Sequence, residues 1–311
     1  MNTYHNINQY KSSKGAVVTI GTFDGVHQGH QKILKRVVQR AEKDALTSVL
    51  LTFFPHPRMI LQPDQDLKLI NTIEERVQLA ANQGIENVVI HPFSKEFSRT
   101  TALDYVKNIL VDSLQAKIVV IGYDHRFGIN RSASINELKE FAKEFDFEVI
   151  EISKKEVEEV AVSSTIIRNT LENGSIEKTN TYLNRDFSIH GKIISGKKLG
   201  RTIGYPTANL AVSEAYKMIP ATGVYITSSI INGERVYGMT NIGTNPTVSN
   251  DALQTIETYY LNFKANLYDQ EMELFFHKRL RSEEKFDNLP DLIAAMKIDE
   301  QNTTAYAQQA R

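Results

Sequence analysis

Residues 16–30 read AVVTIGTFDGVHQGH. The run AVVTIGTF at 16–23 is apolar and β-branched, the pattern of a buried strand. A helical pattern starts at about Gly29 and places Ile33, Leu34, Val37, Val38 and Ala41 on one face. Between them lies a turn carrying Gly21, Gly25 and Gly29. Strand, glycine turn and helix in that order form the phosphate-binding corner of a doubly wound sheet. There the free N–H groups of a helix start face an anion. His27 and His30 are three residues apart, so at a helix start they share one face. Two imidazoles so placed can donate hydrogen bonds to phosphate oxygens. Helix capping by one and solvation of the other is the alternative for an isolated pair. The glycine-rich setting favours phosphate chemistry.

The same alternation continues outward. Strand-like runs recur at 47–53, 87–93, 117–123 and 147–153, with helical stretches near 101–114 and 135–145. Thr72 and Glu75 form a capping-box pair ahead of a helix that stops at Gly84. Strand and helix in strict turn predict a parallel sheet covered on both faces. After about Arg185, glycine and threonine become dense and strands follow one another directly. Val224–Ile231, then Asn232-Gly233, then Glu234–Ile242 reads as a hairpin on a type I′ turn. Thr255–Phe263 and Glu271–Leu280 read as a second pair, and a helix from about Leu289 closes the chain. Short helices at 164–173 and 176–183 lead to the boundary. The expected architecture is a Rossmann-like α/β doubly wound domain, 1–183, followed by a small antiparallel β-barrel with a C-terminal helix, 184–311.

Composition excludes several function classes. The 311 residues contain 36 Lys+Arg against 37 Asp+Glu, so no basic field argues for nucleic acid. With no cysteine, disulfides, thiolate zinc sites and cysteine nucleophiles are absent. No apolar run suits a signal peptide or a bilayer span, and a cytoplasmic protein without a membrane partner is expected. Oligomeric state is left open, a homo-oligomer included.

Other segments carry candidate chemistry. SSTIIR at 163–168 opens a helix, where Ser164 caps or binds and Arg168, one turn in, reaches a phosphate at that end. FFPHP at 53–57 and GYDHRFG at 122–128 follow strands and present His56 and Asp124. GKKLGRTIGYPTAN at 196–209 lacks the spacing of a Walker A loop. Its glycines, with Lys197, Lys198 and Arg201, can still cradle phosphates or form a simple turn. Thr207 and Asn209 alternate on an extended stretch and offer hard oxygen ligands suited to Mg²⁺. Glu257 lies in the strand-like TIETYYLNF. It is either an outward-facing carboxylate or a general base for a hydroxyl attacking a γ-phosphate.

Taken together, GTFDGVHQGH, FFPHP, GYDHRFG and SSTIIR resemble, in order and spacing, the FMN adenylyltransferase domain of prokaryotic bifunctional riboflavin kinase/FAD synthetases. That domain is similar to the wider H-x-G-H nucleotidyltransferases. The second half is similar to riboflavin kinases through G-x-x-x-G-R-x-x-G-Y-P-T-A-N, GVY at 223–225, NIGTNPT at 241–247, ET at 257–258 and R-x-E-x-K-F at 281–286. The resemblance implies a six-stranded barrel with a C-terminal helix, and an enzyme that phosphorylates riboflavin to FMN and transfers AMP from ATP to FMN. It implies His27, His30 and Glu257 as catalytic groups. It implies ATP contacts at Gly21, Phe23, Ser164 and Arg168, and at Gly200, Arg201, Thr207 and Asn209. Thr207 and Asn209 would hold Mg²⁺, and His56, Asp124 and Arg281 would meet flavin. ATP, riboflavin and FMN are then the small-molecule partners. The chain departs from the family's usual residues at His125 (an aromatic, most often Phe), near Ala133 (Gly) and at Tyr259 (His). A single-activity riboflavin kinase and a non-catalytic flavin- or nucleotide-binding regulator are the alternatives.

Overall fold

The computed structural model describes residues 1–12, 14–153, 156, 162–196, 200, 203–245 and 253–310. The chain divides into two compact units, Met1–Ser164 and Thr165–Arg311. The division falls earlier than the change of composition near Arg185, because the two short helices before that change pack with the barrel. These are α6 (Ser164–Glu172) and α7 (Ile176–Leu183). The Asn180 amide donates to the Phe276 carbonyl (2.8 Å), and the Ala221 N–H donates to the Leu171 carbonyl (3.0 Å).

The first unit is a six-stranded parallel sheet in the order β1-β4-β3-β2-β5-β6. Its strands are β1 (Asn2–Tyr4), β2 (Ala16–Ile20), β3 (Thr47–Phe53), β4 (Asn87–His91), β5 (Ala116–Gly122) and β6 (Glu148–Ile152). The order reverses between β2 and β5, which makes the carboxyl end of β2 the crevice where such sheets bind ligands. Successive residues of β2 face opposite cores. Val18 packs with Leu110 and Leu138 on one side, whereas Val17 packs with Leu34, Val37 and Ala80 on the other. The second face is covered by α1 (Gln28–Asp44) and α3 (Ile73–Asn82). The Thr72–Glu75 capping box is formed in both directions. A short helix α2 (Pro57–Leu61) precedes α3, and α4 (Ala102–Asp104) and α5 (Ile135–Phe145) follow it.

The second unit contains a closed barrel in the order β10-β11-β8-β7-β12-β9. Its strands are β7 (Phe187–Ile194), β8 (Ala208–Ala211), β9 (Gly223–Ile231), β10 (Glu234–Asn245), β11 (Leu253–Tyr260) and β12 (Glu271–Arg281). Asn232 and Gly233 have φ of 52° and 84°, as the type I′ turn between β9 and β10 requires. The expected pairing of the last two strands does not occur: β11 pairs with β10 and β8, and β12 with β7 and β9. Closing the barrel places the short β8 and the distant β7 between them. Gly191 permits the tight approach of β7 to β8, since a Cβ there would lie 2.3 Å from the Ala211 carbonyl oxygen. Helix α8 (Leu289–Gln309) completes the unit.

Candidate active sites

In the first unit, the turn after β2 is bent by positive φ at Phe23, Gly25 and Val26. Asp24 is wholly buried beneath it, accepting the Ile70 and Asn71 N–H groups at 3.2 Å each. Thr52 Oγ1 donates to the Thr22 carbonyl (3.3 Å) and accepts from the buried Arg76 (3.3 Å). Ser164 Oγ donates to the Asp24 carbonyl (2.8 Å). The Phe23 ring lies over Gly21, where a Cβ would come within 3.0 Å of it.

His27 caps α1, its Nδ1 accepting the His30 N–H at 3.4 Å. That bond leaves Nε2 of a neutral His27 as the N–H donor. The His27 and His30 rings are stacked, 3.7 Å between centroids and 18° between planes, and Phe23 packs on His30 at 4.7 Å. His30 Nδ1 is buried and unpartnered among the described residues, so Nε2 is its nitrogen for a ligand. Burial, then the adjacent His27 and Arg76, hold His30 well below the ordinary histidine value. At neutral pH it is therefore a neutral donor.

His56 is buried and caps α2, accepting the Arg58 N–H at 3.1 Å. Asp124 is exposed just past β5. Arg168 is buried in α6, in the second compact unit. In the loop after β5, His125 stacks against Phe127 at 6.2 Å, and burial pushes it down to about 4. Ala133 bridges back to Phe127, and its methyl is buried in the core, filling the space that a glycine would leave.

In the second unit two cavities meet at one side chain. One, of about 430 Å³, is bounded by Tyr205, Glu257, Tyr259, Arg281, Phe286 and Met296. The other, of about 510 Å³, is bounded by Pro206, Thr258, Phe263, Lys264 and Tyr268. Thr207 lines both. Its Oγ1 donates to Glu257 Oε2 at 3.1 Å, giving the strand carboxylate the partner its sequence setting calls for. Asn209 is the direct cross-strand partner of Glu257. The Asn209 side chain lies against Gly196, where a Cβ would be 2.3 Å from its Nδ2. Gly200 serves its turn likewise: a Cβ there would lie 2.2 Å from the Tyr205 carbonyl oxygen. Arg201, Lys197 and Lys198 lie outside the described residues.

Arg281 borders the first cavity but is itself held by Asp299 of α8, through Nε (3.1 Å) and Nη2 (2.9 Å) to Oδ2. Asp299 was not foreseen from the sequence. The signal available was an acidic residue on a helix position that has to face inward. Among the described residues no group of three or more His, Cys, Asp or Glu is placed to hold a metal alone.

The FAD synthetase family model matches residues 9–166, and the riboflavin kinase family model matches residues 183–307. The bifunctional riboflavin kinase/FMN adenylyltransferase of Listeria monocytogenes is 36% identical over 93% of this chain and 92% of its own. The protein of that description from Pseudomonas fluorescens is 34% identical over 92% and 91%, and that from Escherichia coli K12 31% over 95% and 94%. A solved structure described as a macrolide-efflux protein from Streptococcus pneumoniae is similar with a TM-score of 0.88. It is 29% identical, covering 97% of this chain and 98% of that one. Among the described residues no helix is long and apolar enough to cross a membrane. On the match of both halves and of these relatives, the chain belongs to the family of bifunctional riboflavin kinase/FMN adenylyltransferases.

Proposed function

We propose that the second unit phosphorylates riboflavin with ATP and the first transfers AMP from a second ATP to the resulting FMN, releasing pyrophosphate. The observation that carries the kinase reading is the Glu257 carboxylate, paired with Thr207 at the wall shared by two cavities. The flavin ring occupies the more apolar cavity beside Phe286 and Met296, and the nucleotide occupies the other. Glu257 takes the proton of the primary ribityl hydroxyl as its oxygen attacks the γ-phosphorus, and ADP leaves. Thr207 and Asn209 supply two hard oxygen donors. These are too few for a closed cage but suit Mg²⁺ that arrives on the nucleotide phosphates. Bound there, Mg²⁺ neutralises phosphate charge. Gly200, which lines the first cavity beside Thr207, and Arg201 contact the ATP phosphates at the wall the two cavities share, and Arg281, held by Asp299, borders the flavin.

For adenylyl transfer, an FMN phosphate oxygen attacks the α-phosphorus in line. His27 and His30, each donating through its Nε2–H, stabilise the charge that builds as pyrophosphate departs. Gly21 and Phe23 shape the turn against ATP, Ser164 binds its phosphates, and His56 and Asp124 line the flavin side. The purified protein is incubated with riboflavin, ATP and Mg²⁺ and the flavins are separated by chromatography. FMN appearing first and FAD following is the expected result. FMN alone removes the adenylyltransferase half of the reading, and neither product removes both.

A further inference from the structure

Tyr205 and Tyr259 share one carboxylate. The Tyr205 hydroxyl donates to Glu300 Oε2 at 3.0 Å, and the Tyr259 hydroxyl reaches Glu300 Oε1 at 3.5 Å. The two rings meet edge to face, 5.0 Å apart and 69° inclined. Both line the 430 Å³ cavity, and Glu300 projects from α8 immediately after Asp299, which holds Arg281.

The sequence relationship gives this contact its meaning. Tyr205 and Thr207 flank Pro206 just ahead of β8, Glu257 and Tyr259 are two apart on β11, and all four line the same cavity. Side chains two apart on extended backbone face the same way. The four groups therefore form a ladder with two rungs. The Thr207–Glu257 hydrogen bond is one rung, and the Tyr205–Tyr259 ring contact is the other. The first rung carries the chemistry. The second joins the same two segments at the flavin end of the cavity, and Glu300 closes it from the helix side. Burial, then the Glu300 hydrogen bond and charge, push Tyr205 up to about 12, so the hydroxyl stays a donor across the physiological range.

We infer that Glu300 is a positioning residue of the kinase site, which fixes the Tyr205 segment against β11 and so sets the width of the flavin cavity. The Tyr at 259, where the family usually has His, supplies the second hydroxyl of that clamp. Glu300 does not touch the reacting atoms. Without it the Thr207–Glu257 rung remains, so the chemical step is kept while the binding cavity loosens. This inference rests on the cavity being the riboflavin site.

The test compares the full-length parent with Glu300→Ala, Glu300→Gln and Tyr205→Phe. Riboflavin binding without ATP is followed by quenching of flavin fluorescence, and KM and kcat are measured for FMN formation. Removing a charge-assisted hydrogen bond from the clamp raises Kd and KM for riboflavin about tenfold in Glu300→Ala and Tyr205→Phe, with kcat within about threefold. Glu300→Gln, which keeps an acceptor oxygen and the same length, stays within about threefold of the parent on all three. The urea unfolding transition of the second unit, followed by far-UV circular dichroism, reports on folding. Should Glu300→Ala lose that transition, Tyr205→Phe, which deletes a single oxygen, decides. Parent-like riboflavin affinity in Tyr205→Phe, or a fall in kcat at constant KM, overturns the inference and leaves the kinase reading standing. A parent that neither binds nor phosphorylates riboflavin overturns both.

Discussion

Replacing His125 with Phe removes a titrating group from the loop after β5. Burial lowers the native His125 to about 4 from the ordinary 6.5, opposed by Asp124 and assisted by Arg131. A depressed native value means that the unfolded chain takes up a proton the native loop declines. The associated stability is complete above about pH 6.5 and is lost as pH falls toward the native value. Integrating between pH 7.5 and pH 5.5 with these two values gives about 1 kcal/mol. The ring is only partly buried, and the loop can yield to hydrate it, so this figure is an upper bound. Phenylalanine does not titrate, and His125→Phe should lose less stability than the parent across that interval, by up to this amount. Urea unfolding at both pH values measures it. Far-UV circular dichroism is the suitable signal, because the chain has no tryptophan. With two compact units, two transitions can appear, and the difference belongs to only one of them. Equal acid sensitivity in parent and variant would refute the reasoning, since it would show that the native loop accepts the proton freely.

Further outcomes are expected in the sites and the barrel. His27→Ala or His30→Ala should slow FAD formation by about 10²–10³ while FMN formation continues, as chromatography of the two products will show. Glu257→Gln should do the converse, cutting kcat for FMN by about 10²–10⁴. Riboflavin KM should hardly change, because the amide oxygen still accepts the Thr207 hydroxyl. Inside the barrel, Thr240 sits between Thr227 and Thr258, all three buried, with hydroxyl separations of 2.7 Å. Thr240→Val keeps the shape and deletes both bonds, and should cost about 1–3 kcal/mol in urea unfolding.

Local chemistry made much of the fold legible. The parallel sheet follows from strand and helix patterns in strict turn. The Thr72–Glu75 box and the Asn232-Gly233 turn each specify their own geometry within a few residues. The three-residue β1 carries no periodicity to read and gains its definition only by pairing with β4. The separation of β11 from β12 is likewise invisible locally, since barrel closure rather than adjacency chooses each partner. The candidate sites divide in the same way. His27, His30, Thr207 and Glu257 stand in motifs whose spacing carries chemistry. Asp299 and Glu300, the carboxylates bonded to two residues that line the 430 Å³ cavity, come from a helix far along the chain. Their partners Arg281 and Tyr205 are set by tertiary packing.

The register of β8 against β11 places Asn209 opposite Glu257 and Ala208 opposite Thr258. That alignment is made by peptide groups, which every residue type except proline supplies in full. Point substitutions along either strand can therefore accumulate while the carboxylate keeps its address, as suits a family whose members share only about a third of their residues. Insertion or deletion of a single residue has the opposite character. It turns every following side chain to the other face, and would carry Glu257 out of the cavity wall in one step. The geometry around Glu257 is thus tolerant of spelling and intolerant of length.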